Sequence, residues 1–464
     1  MKKFVLIAIS FFLVCELSAS IKEDSFEMKW LQKVDTSVLK LNKKDARTYL
    51  YHGIANAYLN NYEQAIKDFN EAIKLDPSGN CGSGEKGAAY VGRGIVYRIK
   101  ENYDEAIKNI SRAIELQSFS NNDSKTIIML YSFRAGCYIA RKEFGSAIED
   151  FSKIIQLDPD DPSEYNNRGY YYNENKEYDN AIKDFDKAIE LDPTGECGVG
   201  KLGAAYNNRG ISYHGKDDFE NAMKDYNKAI ELNPKYVNAY NNRGNTYEKL
   251  NQYLEAIDDF TKAIELDPQY ANAYGNRARV YFKSYKLQKS IDDYTRVIEI
   301  DPRGKEAYDH RAINYIVLGE RQKAIDDFEK IMEIDPSDTD NYACLAGEYC
   351  KQKEYQKAVD CYTKAIELSP QHIFYYFERG NSYYYLMQYD NAIIDYTKTI
   401  KLNAKHVEAY YNRACAYSLK GEKNKALFDL KKAIELDKTQ KDSAKKDKDF
   451  KNLWEDKDFK ELVK

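Results

Sequence analysis

Eight of the nine prolines of this chain share one phase: Pro77, Pro159, Pro193, Pro234, Pro268, Pro302, Pro336 and Pro370. From Pro234 onward they recur every 34 residues. A fixed period in this range specifies a stacked array of small units, each too small to bury its own apolar face. With residues 237–270 as one unit, eleven units fill residues 46–440. Three seven-residue insertions interrupt them, near 80–86, 121–127 and 196–202.

Inside a unit the apolar residues keep a helical period. Tyr240, Gly244, Tyr247 and Leu250 recur at three- and four-residue steps, and Ala256, Phe260, Ala263 and Leu266 repeat the pattern. Asn251-Gln252 between them suits a tight turn, and Asp267-Pro268 ends the second helix, because proline pushes the residue before it out of the α region. Each unit is therefore predicted to be a helical hairpin. Composition agrees: 23 glycines and nine prolines are too few for a many-turned β protein, and 14% aromatic residues argue against disorder. The formal net charge of −5, with no block of like charge, excludes a strongly basic nucleic-acid binder.

The columns of the repeat predict close packing. The Tyr240 column is tyrosine in all eleven units and the Tyr247 column in ten. The Gly244 column is always Gly or Ala, and the Ala256 column departs from Ala only at Ser290. Spacing, residue type and phase together resemble the tetratricopeptide repeat, a 34-residue helix-turn-helix family, with tyrosine in place of the tryptophan often seen at its first aromatic column. The resemblance implies an all-α fold: a right-handed superhelical solenoid of about eleven repeats, with no cofactor, whose first helices line a groove for a protein or extended peptide.

The flanks differ. Residues 1–20 run from Lys2-Lys3 through an apolar stretch to Ser18 and Ser20, the order of a secretory signal, too short to span a bilayer. Export from the cytoplasm is expected, to a periplasmic, envelope-associated or secreted location. A lipid anchor at Cys15 is the rival reading, weakened by the lack of a small residue in Phe12-Leu13-Val14. Residues 21–45 are expected to hold a leading helix carrying Trp30, and 441–464 a capping helix built on Phe450, Leu453, Trp454 and Phe459.

Two motifs match the dinucleotide fingerprint, Gly82-x-Gly84-x-x-Gly87 and Gly198-x-Gly200-x-x-Gly203, but neither follows a strand. They are read as flexible inter-repeat loops, copies of each other through block duplication. Cys81 and Cys197 lie three repeats apart, too far for a disulfide. Cys344, Cys350 and Cys361 show no CxxC spacing, and five histidines stand in different units. No metal site and no catalytic residue is proposed.

Two columns carry more than packing. The first sets Arg168, Arg209, Arg243 and Arg277 against Asp184, Asp225, Asp259 and Asp293, with Arg93, Arg134, Arg311, Arg379 and Arg413 and Asp150, Asp327, Asp395 and Asp429 continuing it. The ninth unit has Leu345 and Cys361 instead. A ladder of charge-assisted bonds between helices is predicted; the rival is an anion site on the arginines. The second column holds Asn167, Asn208, Asn242, Asn276 and Asn412, preceded by Asn166, Asn207 and Asn241, with Asn245 one turn on. In the family, asparagine at the matching column grips a peptide backbone, which suits an amide's paired donor and acceptor. Tyr170, Glu248, Arg279 and Phe282 would flank that groove, whereas the Lys/Asn clamp for chaperone C-termini does not appear. The leading expectation is a non-catalytic binding scaffold; the alternative is a structural, self-associating component of an envelope complex. The mature chain is expected neither to insert into a membrane nor to bind nucleic acid.

Overall fold

The computed structural model describes residues 45–76, 85–116 and 124–464. The expected signal segment, Cys15, the leading helix with Trp30, and Cys81 with its Gly82–Gly84 loop lie outside the described residues. All the described regular structure is helical, and it runs as consecutive antiparallel pairs. The chain divides into two compact units, up to Thr246 and from Tyr247 to Lys464. The division falls inside the first helix of the sixth repeat, Val237–Lys249.

Each hairpin is closed by the same turn. Its central residue is left-handed in all eleven repeats: Gly319 and Gly421 in two, and Asn60, Glu101, Lys142, Lys176, Asp217, Asn251, Tyr285, Lys353 and Met387 in the rest. The residue after it donates its N–H back to the first helix, as Glu177 does to Tyr172 O at 2.8 Å and Glu354 to Tyr349 O at 2.9 Å. This is a Schellman closure, which satisfies helix-end carbonyls that would otherwise lack a donor. The second helix stops as predicted before Asp-Pro, and the aspartate adds an Asx turn. Asp267 Oδ1 accepts from Gln269 N at 2.9 Å, and Asp301 Oδ1 from Arg303 N at 3.1 Å.

Packing explains the small columns. The Ala256 column is fully buried in every repeat. A Cβ on Gly169 would sit 2.8 Å from the Phe185 ring, and on Gly210 2.7 Å from the Tyr226 ring, so glycine there lets the aromatic of the second helix lie against the backbone of the first. No described helix is long and apolar enough to cross a membrane.

Two expectations are corrected. The third insertion is not loop throughout: Asp192 Oδ1 accepts from Glu196 N at 2.7 Å and Asp192 Oδ2 from Cys197 N at 3.2 Å, and helix begins at Val199. The C-terminal cap is not one helix but three short pieces, Gln440–Ala444, a 3-10 segment Lys448–Leu453, and Lys457–Val463. Asp447 and Asp456 restart the chain by capping Asp449 N and Asp458 N. The predicted apolar residues still seal the last repeat, Phe450, Leu453 and Phe459 being buried with Cys415 and Leu430.

Candidate functional site

The arginine column forms a clamp. Within a repeat, Arg Nε and Nη2 take the two carboxylate oxygens of the aspartate 16 residues on: Arg168 to Asp184 at 2.7 and 2.6 Å, and Arg209 to Asp225 at 2.8 and 2.7 Å. Arg134, Arg277, Arg311, Arg379 and Arg413 repeat this with Asp150, Asp293, Asp327, Asp395 and Asp429. Arg243 and Asp259, the sixth pair of the column, stand on either side of the division between the compact units.

The third arm was not foreseen. Nη1 reaches back into the preceding repeat: Arg168 to Ser152 Oγ at 3.0 Å, Arg277 to Thr261 Oγ1 at 2.9 Å, Arg209 to Asp186 Oδ1 at 2.6 Å and Arg243 to Asn227 Oδ1 at 2.5 Å. Each of these arginines thus fastens its repeat to the one before. The signal was a second 16-residue spacing, hidden because the acceptor is variously Ser, Thr, Asn or Asp. The two tyrosine columns flank the same guanidinium, Arg168 lying 5.8 Å from the Tyr165 ring and 5.9 Å from Tyr172. Burial works against the charge of Arg209, but its hydrogen bonds to Asp225 and Asp186 prevail and its pKa is raised. With all three arms engaged, each of these guanidinia is held between its own repeat and the one before, its charge already matched by the aspartate carboxylate.

The clamp degrades in step at the exceptions. In the second repeat Arg93 Nε meets Asn109 Oδ1 at 2.7 Å. In the first, His52 lies 3.7 Å from Asp68 while Asn56 Nδ2 donates to Asp68 at 2.8 Å. In the ninth, Leu345 and Cys361 replace the pair, and Glu329, at the third-arm position, accepts from Tyr349 Oη at 2.5 Å instead. Burial pushes the Cys361 thiol up to about 12, so it stays protonated.

The asparagines of the fourth to sixth repeats are brought together as a relay. Asn208 Nδ2 donates to Asn166 Oδ1 at 3.3 Å, Asn207 Nδ2 to Asn208 Oδ1 at 3.3 Å, and Asn242 Nδ2 to Asn207 Oδ1 at 3.0 Å. Asn173 and Ser212 extend it, Ser212 Oγ donating to Asn173 Oδ1 at 2.6 Å. Asn207 and Asn241 are buried, while Asn167, Asn208, Asn242, Asn245 and Asn276 are half-buried. Each relay amide has two donors and two lone pairs, so one bond to a neighbour orients it and leaves capacity for another. In the second unit Asn412 Nδ2 donates to Asn381 Oδ1 at 3.0 Å.

Of the flanking residues, Tyr170 is exposed, but Glu248 is not available to a partner. Its buried carboxylate receives Arg279 Nη2 at 2.6 Å and Lys283 Nζ at 2.8 Å. Burial alone would raise its pKa; the hydrogen bonds from the two cations outweigh burial and lower it.

Among the described residues one potential metal-ligating group converges that the sequence, with Cys415 and Asp447 32 positions apart, did not reveal: Cys415, Asp447 and Asp449, their ligand atoms within 4.8 Å. Protein donors already serve it. Tyr411 Oη donates to Asp447 at 2.9 Å, Cys415 Sγ lies 3.7 Å from the same oxygen, and Tyr384 Oη donates to Asp449. It fastens the cap to the last repeats.

Family comparison agrees with this geometry. Tetratricopeptide repeat descriptions match residues 162–194, 237–270, 342–372 and 407–440, and related ones match 50–121, 210–251 and 260–292. No curated protein matches significantly. Among solved structures, MamA is 28% identical over 35% of this chain and 94% of its own, with a TM-score of 0.33. YrrB, described as a TPR protein with an unusual peptide-binding site, is 24% identical over 41% of this chain and 95% of its own, at 0.34. A tetratricopeptide repeat protein from Parabacteroides merdae is 17% identical over 58% and 98%, at 0.44. With its period, its hairpins and its repeat matches in agreement along most of its length, the chain belongs to the tetratricopeptide repeat family.

Proposed function

We propose that this protein is a non-catalytic scaffold that holds an extended segment of a partner protein along the first helices of its fourth to sixth repeats, outside the cytoplasm. The observation that carries the reading is the asparagine relay. Asn208 and Asn242 are half-buried amides at one helical position of adjacent repeats, each oriented by a neighbour and each with hydrogen-bonding capacity left. A strand-like backbone presents amide and carbonyl groups at regular intervals, and a column of amides is the side-chain chemistry that matches it. One such contact contributes only about 0.5–1.5 kcal/mol net, so binding requires several repeats at once. The arginines take no part, being engaged in the clamp. Export rests on the basic, apolar and small-residue order of residues 1–20.

Photo-crosslinkers placed at Asn208, and as a control at the exposed second-helix residue Lys224, test both halves of the reading in fractionated cells. A partner trapped from Asn208 and not from Lys224, in the exported fraction, is the expected result. Equal labelling from both positions would remove the groove, and labelling confined to the cytoplasm would remove export.

A further inference from the structure

The third insertion builds a cavity. The first helix of the fifth repeat, Val199–Gly215, has 17 residues where that of the fourth, Pro162–Glu174, has 13. The added turn at its start overhangs the first turn of the fourth repeat, and Lys201 Nζ donates to Ser163 Oγ across the gap at 3.2 Å. The chain leading into it is pinned by Asp192, so the wall is held in place. Between the two repeats lies a space of about 280 Å³.

Its chemistry is divided. The floor is Ala188, Leu202 and Ala205, each at most 4% exposed. The mouth carries Asn166 and Asn167 with Ser163 and Lys201. The Asp192 carboxylate at the edge is held by two backbone N–H groups. The volume falls just short of the range of about 300–1,000 Å³ for pockets that take drug-sized ligands. An apolar floor of alanines under a rim of amides fits one side chain entering from a backbone that passes over Asn166 and Asn167.

We propose that this cavity is the anchor subsite of the groove, taking a single aliphatic or aromatic side chain of the bound segment. This rests on the groove reading above and adds its specificity. The asparagines select for extended backbone of any sequence, and the cavity requires an apolar residue at one place in it. Filling the cavity from Ala204, which also lines it, excludes that residue without touching the relay.

Random heptapeptides displayed on phage are selected on the full chain, and those enriched are synthesised and titrated by fluorescence anisotropy. The expected set shares one Leu, Ile, Met or Phe. Affinity falls about tenfold or more when that residue becomes Asp, and falls as far on Ala204→Leu. Leu202→Ala enlarges the space and shifts preference toward Trp, which a general loss of structure would not do, and this arm decides if Ala204→Leu misfolds. Peptides that weaken on the Asn208→Ala/Asn242→Ala variant but bind Ala204→Leu and Leu202→Ala like the parent would leave the groove standing and overturn the anchor. Absence of any enriched peptide would overturn both.

Discussion

Arg277 and Asp293 meet as two parallel forks, Nε to Oδ2 and Nη2 to Oδ1, each at 2.8 Å, with side chains 15% and 9% exposed. A pair this buried is a liability when halved. Asp293→Asn leaves the guanidinium without its counter-charge and should lower the stability of the second unit by about 3–5 kcal/mol. Thr261→Val, which removes only the third arm, should cost about 0.5–1.5 kcal/mol. Urea titrations of both variants give the comparison, and similar midpoints for the two would contradict the clamp.

The ninth repeat supplies the reciprocal experiment. Leu345→Arg alone places a guanidinium in the seam with Glu329 but without the fork carboxylate, and should destabilise. Adding Cys361→Asp restores the fork, with Glu329 at the position of the third acceptor. Replacing apolar side chains by a buried pair is close to neutral overall, so the signature is coupling: the double variant should be about 2 kcal/mol or more better than the sum of its parts. Additive effects would mean that the seam cannot accept the clamp.

The packing of Gly210 under Tyr226 gives a third prediction. A methyl group there would lie 2.7 Å from the ring, so Gly210→Ala should cost about 1–3 kcal/mol in thermal or urea unfolding. The added change Tyr226→Leu should recover part of this, since the eleventh repeat pairs Ala414 with Leu430 and buries both fully. No recovery would place the strain elsewhere.

Much of this architecture was legible from residue spacing, and the limits of legibility have physical causes. The proline phase, the Gly-or-Ala column against the second-helix aromatic and the Arg–Asp spacing each hold a narrow residue class at one place, so they stand out. The third arm needs only an acceptor, and Ser152, Asp186, Asn227 and Thr261 all serve. The insertion misled because its glycines signalled a loose loop, while Asp192, four residues before Glu196, held it through bonds that spacing alone does not announce. The asparagine column was visible, but that its members bond to each other across repeats was not, since that depends on the offset between stacked helices. Glu248 looked like a groove residue until Arg279 and Lys283 closed over it.

Glu248 sets a pH dependence whose sign follows from its lowered pKa. A carboxyl depressed in the folded state stabilises most above its unfolded value of about 4.3, and that contribution disappears as pH falls through the folded value. Both cations are nearly half exposed, so the contribution is about 1–2 kcal/mol after allowance for screening. The difference in urea midpoint between parent and Glu248→Gln should be full at pH 7 and should close at pH values well below 4. A difference that persists undiminished in acid would mean that the carboxylate charge is not what the two cations hold.

The reach of the arginine, 16 residues forward to its aspartate and 16 back to its acceptor, bears on how such a chain lengthens. Both partners lie within one period of the arginine, so copying 34 consecutive residues in place from repeats that carry all three groups creates a complete new clamp with no further substitution. The seven-residue insertion after the fourth repeat does not interfere: Arg209 still finds Asp186, now 23 residues back. Growth by tandem copying of such repeats is thus chemically closed at the new junction. A newborn copy is stapled to its parent from the start, which frees its outward-facing positions to diverge.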